Sequence, residues 1–263
     1  MSDINRYAVF GGIYNNYLAL TAVLDDAERR GAQETYCLGD LGGFGPHPDR
    51  VFSILQERGV MVMQGNYDHS IGNDLEDCGC GYSDPRDNHY AALSYAYTRA
   101  KTSARWRPYL RGLPSVLRRR WDQQRVLMAH GSPRKVNEFL WESSSSDRFL
   151  SRLLDEHEAD ILLVTHSGIP WQRQVERNRL VVNVGAIGRP ANDGRTEVWY
   201  ALVTVTGGRA RAELIPVAYD HLRLASEMRA EGIPEEFAIT IETGWWTTCL
   251  EILPAKERAR GRY

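Results

Sequence analysis

Five side chains suited to metal chemistry recur just after apolar runs of the chain. Asp40 follows "YCLG", Asn66 and Asp68 follow "VMVMQG", His130 follows "VLMA" and His166 follows "ILLVT". One carboxylate, one amide oxygen and two imidazoles form a ligand set that suits a borderline divalent metal such as Mn, Fe or Zn. These residues are far apart in sequence, so only a fold that gathers strand ends can bring them together. In an open α/β sheet, ligands lie outside the carboxyl ends of the strands.

The elements that must do the positioning are readable from pattern. Tyr7–Phe10 reads as a short buried strand, and Asn16 caps a helix whose apolar residues Tyr17, Leu20, Val23, Leu24 and Ala27 repeat at helical spacing up to Gly31. "TYCLGD" is a second strand, "PDRVFSILQERG" a helix opened by Pro48 and stopped by Gly59, and "VMVMQG" a third strand. Strands alternating with helices imply βαβ units and a parallel sheet. Helical pattern runs again from His89 to about Gly112. "VLMAHG" and "ADILLVTHSG" are apolar strands that each run into a histidine. Between them Phe149, Leu150, Leu153 and Leu154 form the inner face of another helix. After Trp171 the pattern becomes β, with Gly207–Gly208 at a tight hairpin. The reading is one domain over residues 1–218, followed by an extension over 219–263 that packs on the domain or on a second subunit.

Bulk properties exclude several classes. The 263 residues carry a net charge of −2, which provides no global reason to bind nucleic acid or acidic membranes. Arg118–Arg120 reads as a solvated strand face. No apolar run reads as a signal peptide or a membrane span, so cytoplasm is the expected compartment. Cys37, Cys78, Cys80 and Cys249 are not spaced as a disulfide framework. Cys78 and Cys80 are too close for usual zinc spacing and read as a loop constraint.

Five motifs carry a resemblance. "GDLGGFGP" (Gly39–Pro46), "GNYD" (Gly65–Asp68), "AHGSP" (Ala129–Pro133), "THSGIP" (Thr165–Pro170) and "NVGAIGRP" (Asn183–Pro190) resemble the ordered motifs of the calcineurin-like metallophosphoesterases. The similarity is to the bacterial branch labelled diadenosine-tetraphosphatase-like or phosphodiesterase-like, and it spans about the first four fifths of the chain. It implies a four-layer αββα sandwich and phosphoester hydrolysis by two metals about 3.5 Å apart.

Position by position, the resemblance makes Asp40 the aspartate shared by both metals. It makes Asn66, His130 and His166 the private ligands of one of them. The other metal's private ligands are missing. Gly12 stands for an aspartate, Tyr14 for a histidine and Gly168 for the last histidine. Tyr67 stands where the family carries a histidine that assists the leaving group. Loss confined to one site implies that the other is in use, with one divalent transition metal (Mn, Fe or Zn).

Plainer roles stand beside these. Asp40 could be a turn aspartate, His130 and His166 hydrogen-bonded core histidines, and Tyr14 a filler of the space left by absent ligands. Tyr67 divides between packing and donation, His69 between a displaced general acid and a surface residue, and Arg189 could bind phosphate as a fork donor. Trp245 and Trp246 read as packing for the tail. The leading expectation is a hydrolase of a small phosphoester or nucleotide-like substrate, with Tyr14, Tyr67, His69 and Arg189 supplying donors. Two alternatives stay open: a non-catalytic binding protein on the same fold, and a mononuclear enzyme recruited to non-hydrolytic chemistry. A homo-oligomer is also left open.

Overall fold

The computed structural model describes residues 4–176 and 178–261. Two five-stranded sheets stack face to face. The first contains β1 (Asn5–Phe10), β2 (Glu34–Cys37), β3 (Met61–Val62), β9 (Val198–Thr206) and β10 (Arg209–Val217), in the order β10-β9-β1-β2-β3. The second contains β4 (Val116–Trp121), β5 (Gln124–Ala129), β6 (Ile161–Val164), β7 (Trp171–Val175) and β8 (Arg179–Asn183), in the order β4-β5-β6-β8-β7. The parallel sheet implied by the βαβ pattern is the centre of each: β1-β2-β3 and β5-β6-β8 run parallel. The partners β9, β10, β4 and β7 are antiparallel.

The period of two along each strand builds the layers. Tyr7 and Val9 of β1, Val126 and Met128 of β5, and Ile161 and Leu163 of β6 point between the sheets. Their neighbours Ala8 and Phe10 face the helices of the first sheet, while Leu127, Leu162 and Val164 face the helix of the second. Strands buried on both faces therefore read as continuous apolar runs. On one side α1 (Tyr17–Arg29) and α2 (Pro48–Glu57) cover the first sheet. On the other, α6 (Asp147–Glu156) lays Leu150, Leu153 and Leu154 on the second. Each such leucine contributes about 1.5–3 kcal/mol by leaving water. This is the αββα sandwich.

Two local readings needed revision. The third strand is only two residues long, because the chain turns at Gly65 into α3 (Asn66–Gly72). The helical pattern after His89 divides into α4 (Pro85–Lys101), which Asp84 caps, and α5 (Arg107–Gly112). The break falls at Ser103, whose backbone N–H donates to Asp49. The extension forms α7 (His221–Ala230), α8 (Glu235–Thr243) and α9 (Ala255–Arg260), and its last two residues lie outside the described ones. Leu224, Met228, Phe237 and Ile241 join one core cluster with Tyr14 and Phe44, while Trp246, Leu250 and Leu253 join another with Trp141. Among the described residues, no helix is long and apolar enough to cross a membrane.

Candidate metal centre

The loops after β1, β2, β5, β6 and β8 meet at one edge of the sandwich and are tied across it. Gly12 N–H donates to Gly39 O at 2.9 Å, Thr165 N–H to His130 O at 2.9 Å, and Gly188 N–H to Gly12 O at 2.8 Å. Asn16 holds the start of α1 by accepting from Ala19 N–H, and its amide donates to Ile187 O and Gly188 O. Tyr14, Asp40, Phe44 and His166 all have φ between 44° and 59°. That left-handed region is costly for side chains of this kind and clusters at functional sites.

Asp40, His130 and His166 come together there. One ligand atom from each lies within 4.8 Å of the others, and all three residues are buried. His130 Nδ1 sits 2.7 Å from Leu38 O, so it must be the N–H donor. The neutral ring then turns a bare Nε2 towards Asp40 Oδ2 at 3.1 Å and His166 Nδ1 at 3.1 Å. A carboxylate oxygen and a bare imidazole nitrogen repel at this distance unless a proton or a cation lies between them. Burial opposes a charged His130, but the Asp40 carboxylate outweighs it and raises the pKa above the ordinary imidazole value. Burial, then the charge of His130, pushes His166 down to about 3 and keeps it neutral. Burial also opposes an ionised Asp40, yet His130 and His166 hold its carboxyl below the usual range.

Asn66 opens α3 beside them. Its Nδ2 donates to Cys78 O at 2.8 Å, which leaves Oδ1 buried and without a partner. His166 Nε2 is likewise buried and unpartnered. A buried amide oxygen left without a donor, as in Asn66, is rare unless something fills it. A neutral imidazole, an anionic carboxylate and an amide oxygen all fit a divalent ion.

Asp68 is the residue whose role sequence reasoning missed. Its carboxylate accepts from the backbone N–H of Asp40 at 2.8 Å, Leu41 at 3.0 Å and Gly65 at 2.8 Å. It thereby fixes the two loops that carry Asp40 and Asn66. Burial, then the charge of Asp40, raises its pKa to about 6. Its place two residues after Asn66 in "GNYD" was the available signal.

The other candidates divide. Tyr14 and Arg189 line a cavity of about 50 Å³ that also touches Asp40, Asn66 and His166. Tyr67 lines it too, but its hydroxyl donates to Ser94 Oγ at 3.1 Å, which is a packing role towards α4. His69 lies on the exposed side of α3 with its ring 3.4 Å from the Asn73 amide, so it does not join the cavity. Cys78 and Cys80, expected to constrain their loop, are bonded to each other. Gly79 at φ 59° turns the chain so that their Cα atoms lie 5.2 Å apart. Phe237 of α8 and Cys249 also line the cavity, contributions from a tail that no strand pattern announces.

The architecture is shared with known proteins. A metallophosphoesterase from Sphaerobacter thermophilus superposes with a TM-score of 0.71 at 23% identity, over 92% of this chain and 100% of that one. The hypothetical protein PH1004 from Pyrococcus horikoshii OT3 reaches 0.76 at 24% identity, over 92% and 99%. The uncharacterized protein MJ0912 of Methanocaldococcus jannaschii is 24% identical over 245 residues, 87% of this chain and 93% of that protein. Residues 6–208 match the calcineurin-like phosphoesterase superfamily domain, and the chain belongs to that superfamily.

Proposed function

We propose that this protein is a phosphoesterase-type hydrolase of a small phosphoester or nucleotide-like substrate that works with one divalent metal, Mn, Fe or Zn. The observation that carries the reading is the convergence of buried Asp40, His130 and His166, one ligand atom from each lying within 4.8 Å of the others. With Asn66 Oδ1 unpartnered beside them, these four residues would hold the ion. A divalent ion held there would supply Lewis acidity towards a phosphoryl oxygen and would activate water for attack.

The chain's own residues do the rest. The Leu38 carbonyl fixes the His130 ring so that Nε2 faces the centre. Cys78 O turns the Asn66 amide so that its oxygen stays free, and Asp68 holds the Asp40 loop. Tyr14 is kept protonated by burial, which raises its pKa well above the ordinary phenol value, so it can donate to a phosphoryl oxygen. Arg189 supplies a second donor from the same cavity. We assign Tyr67 to the wall and leave His69 out of the reaction. We keep the boundary between domain and extension at residue 218 and the cytoplasm as compartment. There the Cys78–Cys80 bridge would be a reducible pair, since permanent staples are rare in that setting.

The test is turnover. Protein loaded in turn with Mn, Fe and Zn is assayed against phosphodiesters, phosphomonoesters and dinucleotides, with His130→Ala as control. Activity that His130→Ala abolishes together with the metal is the expected result. A fully loaded wild type inert across the panel would favour the binding-protein reading.

A further inference from the structure

Arg189 presents a charge with no obvious counterpart. It is 6% exposed, and among the described residues no carboxylate lies within ion-pair distance of its guanidinium. Its Nε is buried and unpartnered. Its neighbours are neutral: the Trp246 ring 3.5 Å beneath it, the Tyr14 and Phe44 rings at 5.9 Å, and the Cys249 thiol. A guanidinium cannot shed its proton to escape burial. Buried charges are otherwise paired or bound to a ligand. The open side of this one is the cavity it shares with Asp40, Asn66 and His166.

The same region does not fit a second metal. A Cβ at Gly12 would lie 2.9 Å from Tyr14 Cζ and 2.9 Å from Ala186 Cβ, and the residue has φ 54°. A Cβ at Gly168 would lie 3.4 Å from both an Arg189 terminal nitrogen and Trp246, at φ 75°. A Cβ at Gly12 would therefore clash with Tyr14 and Ala186, while at Gly168 it would touch Arg189 and Trp246, which border the space a longer side chain would need. The charge is balanced as well. A divalent ion together with its one private carboxylate brings a single net positive charge, and a guanidinium brings the same.

We propose that Arg189 is a fixed oxyanion-binding group that replaces the second metal: it excludes that ion and binds a phosphoryl-type anion by itself as a fork donor. The choice of a phosphoryl anion rests on the hydrolase reading above, whereas the anion site itself stands on the unpaired guanidinium.

The experiment measures binding and not turnover, so the two readings fail separately. Inorganic phosphate is titrated by calorimetry into the full-length protein as purified, with metal content measured alongside. Arg189→Gln should weaken phosphate binding by about tenfold or more with metal content unchanged. Arg189→Lys keeps the charge and loses the fork, and should fall in between; it carries the test if the Gln variant does not accumulate. Unchanged phosphate affinity in either variant would overturn the proposal. A protein that binds phosphate through Arg189 yet hydrolyses nothing would sink the hydrolase reading alone.

Discussion

The Arg189 guanidinium lies 3.5 Å above the ring of Trp246, and that ring is itself anchored by its Nε1–H to Pro190 O at 2.7 Å. The backbone N–H of Trp246 is held by Asn192 Oδ1 at 2.8 Å. A residue of the C-terminal extension thus braces the loop that follows β8, beside the cavity shared with Asp40 and His166. Two consequences can be measured. Trp246→Ala should cost about 3 kcal/mol in urea unfolding, the usual loss for a buried Trp. Removing residues 219–263 should expose the Tyr14–Phe44 cluster and make the protein insoluble or self-associating on gel filtration. A soluble truncated chain of unchanged subunit number would show that the extension is dispensable.

Tyr67 and Tyr14 should behave differently. The Tyr67 hydroxyl is engaged with Ser94, so Tyr67→Phe should lower stability by about 1 kcal/mol and change kcat by less than about twofold. Tyr14→Phe removes a donor from the cavity and should lower kcat about tenfold with metal content intact. A large kcat loss in Tyr67→Phe, with the metal retained, would return that residue to the donor role.

The Cys78–Cys80 bridge supports the proposed ligand Asn66 from behind, because Asn66 Nδ2 is held by Cys78 O. Outer supports of metal ligands typically matter by one to two orders of magnitude in affinity. Reduction with a dithiol, or replacement of both cysteines by Ser, should therefore raise the metal's dissociation rate about tenfold. Chelator competition on oxidised and reduced protein reads this directly, and equal rates would reduce the bridge to a loop constraint.

Much of this arrangement was legible in the chain. The strand-end positions of Asp40, Asn66, His130 and His166, the Asn16 cap and the Gly207–Gly208 hairpin follow from local pattern, because each depends on residues close in sequence. What stayed hidden depends on distant packing. Nothing local shows that Phe237 and Cys249 reach a cavity built around Asp40, or that Arg189 stacks on a tryptophan 57 positions later. The disulfide was hidden for another reason. Spacing argues against it, and only the turn at Gly79 brings the two cysteines within reach.

The losses at Gly12, Tyr14 and Gly168 were legible as missing ligands, but not as filled space. Restoring them by Gly12→Asp, Tyr14→His and Gly168→His should not create a second site while Arg189 and Trp246 remain, since all three backbone positions are left-handed and Arg189 and Trp246 border the Gly168 position. Elemental analysis of the triple variant should find no added ion, and its melting temperature should fall. A second tightly held ion in that variant would show that ligand loss alone, and not Arg189, had removed the site.

A single metal on Asp40, Asn66, His130 and His166 is checked by metal stoichiometry. Wild-type protein is equilibrated with excess Mn(II) or Zn(II), freed of loosely held ions by gel filtration, and analysed for metal per chain beside His130→Ala. About one ion per wild-type chain and close to none in the variant is the expected result. Two tightly held ions per wild-type chain, or a His130→Ala variant that keeps its ion, would contradict it.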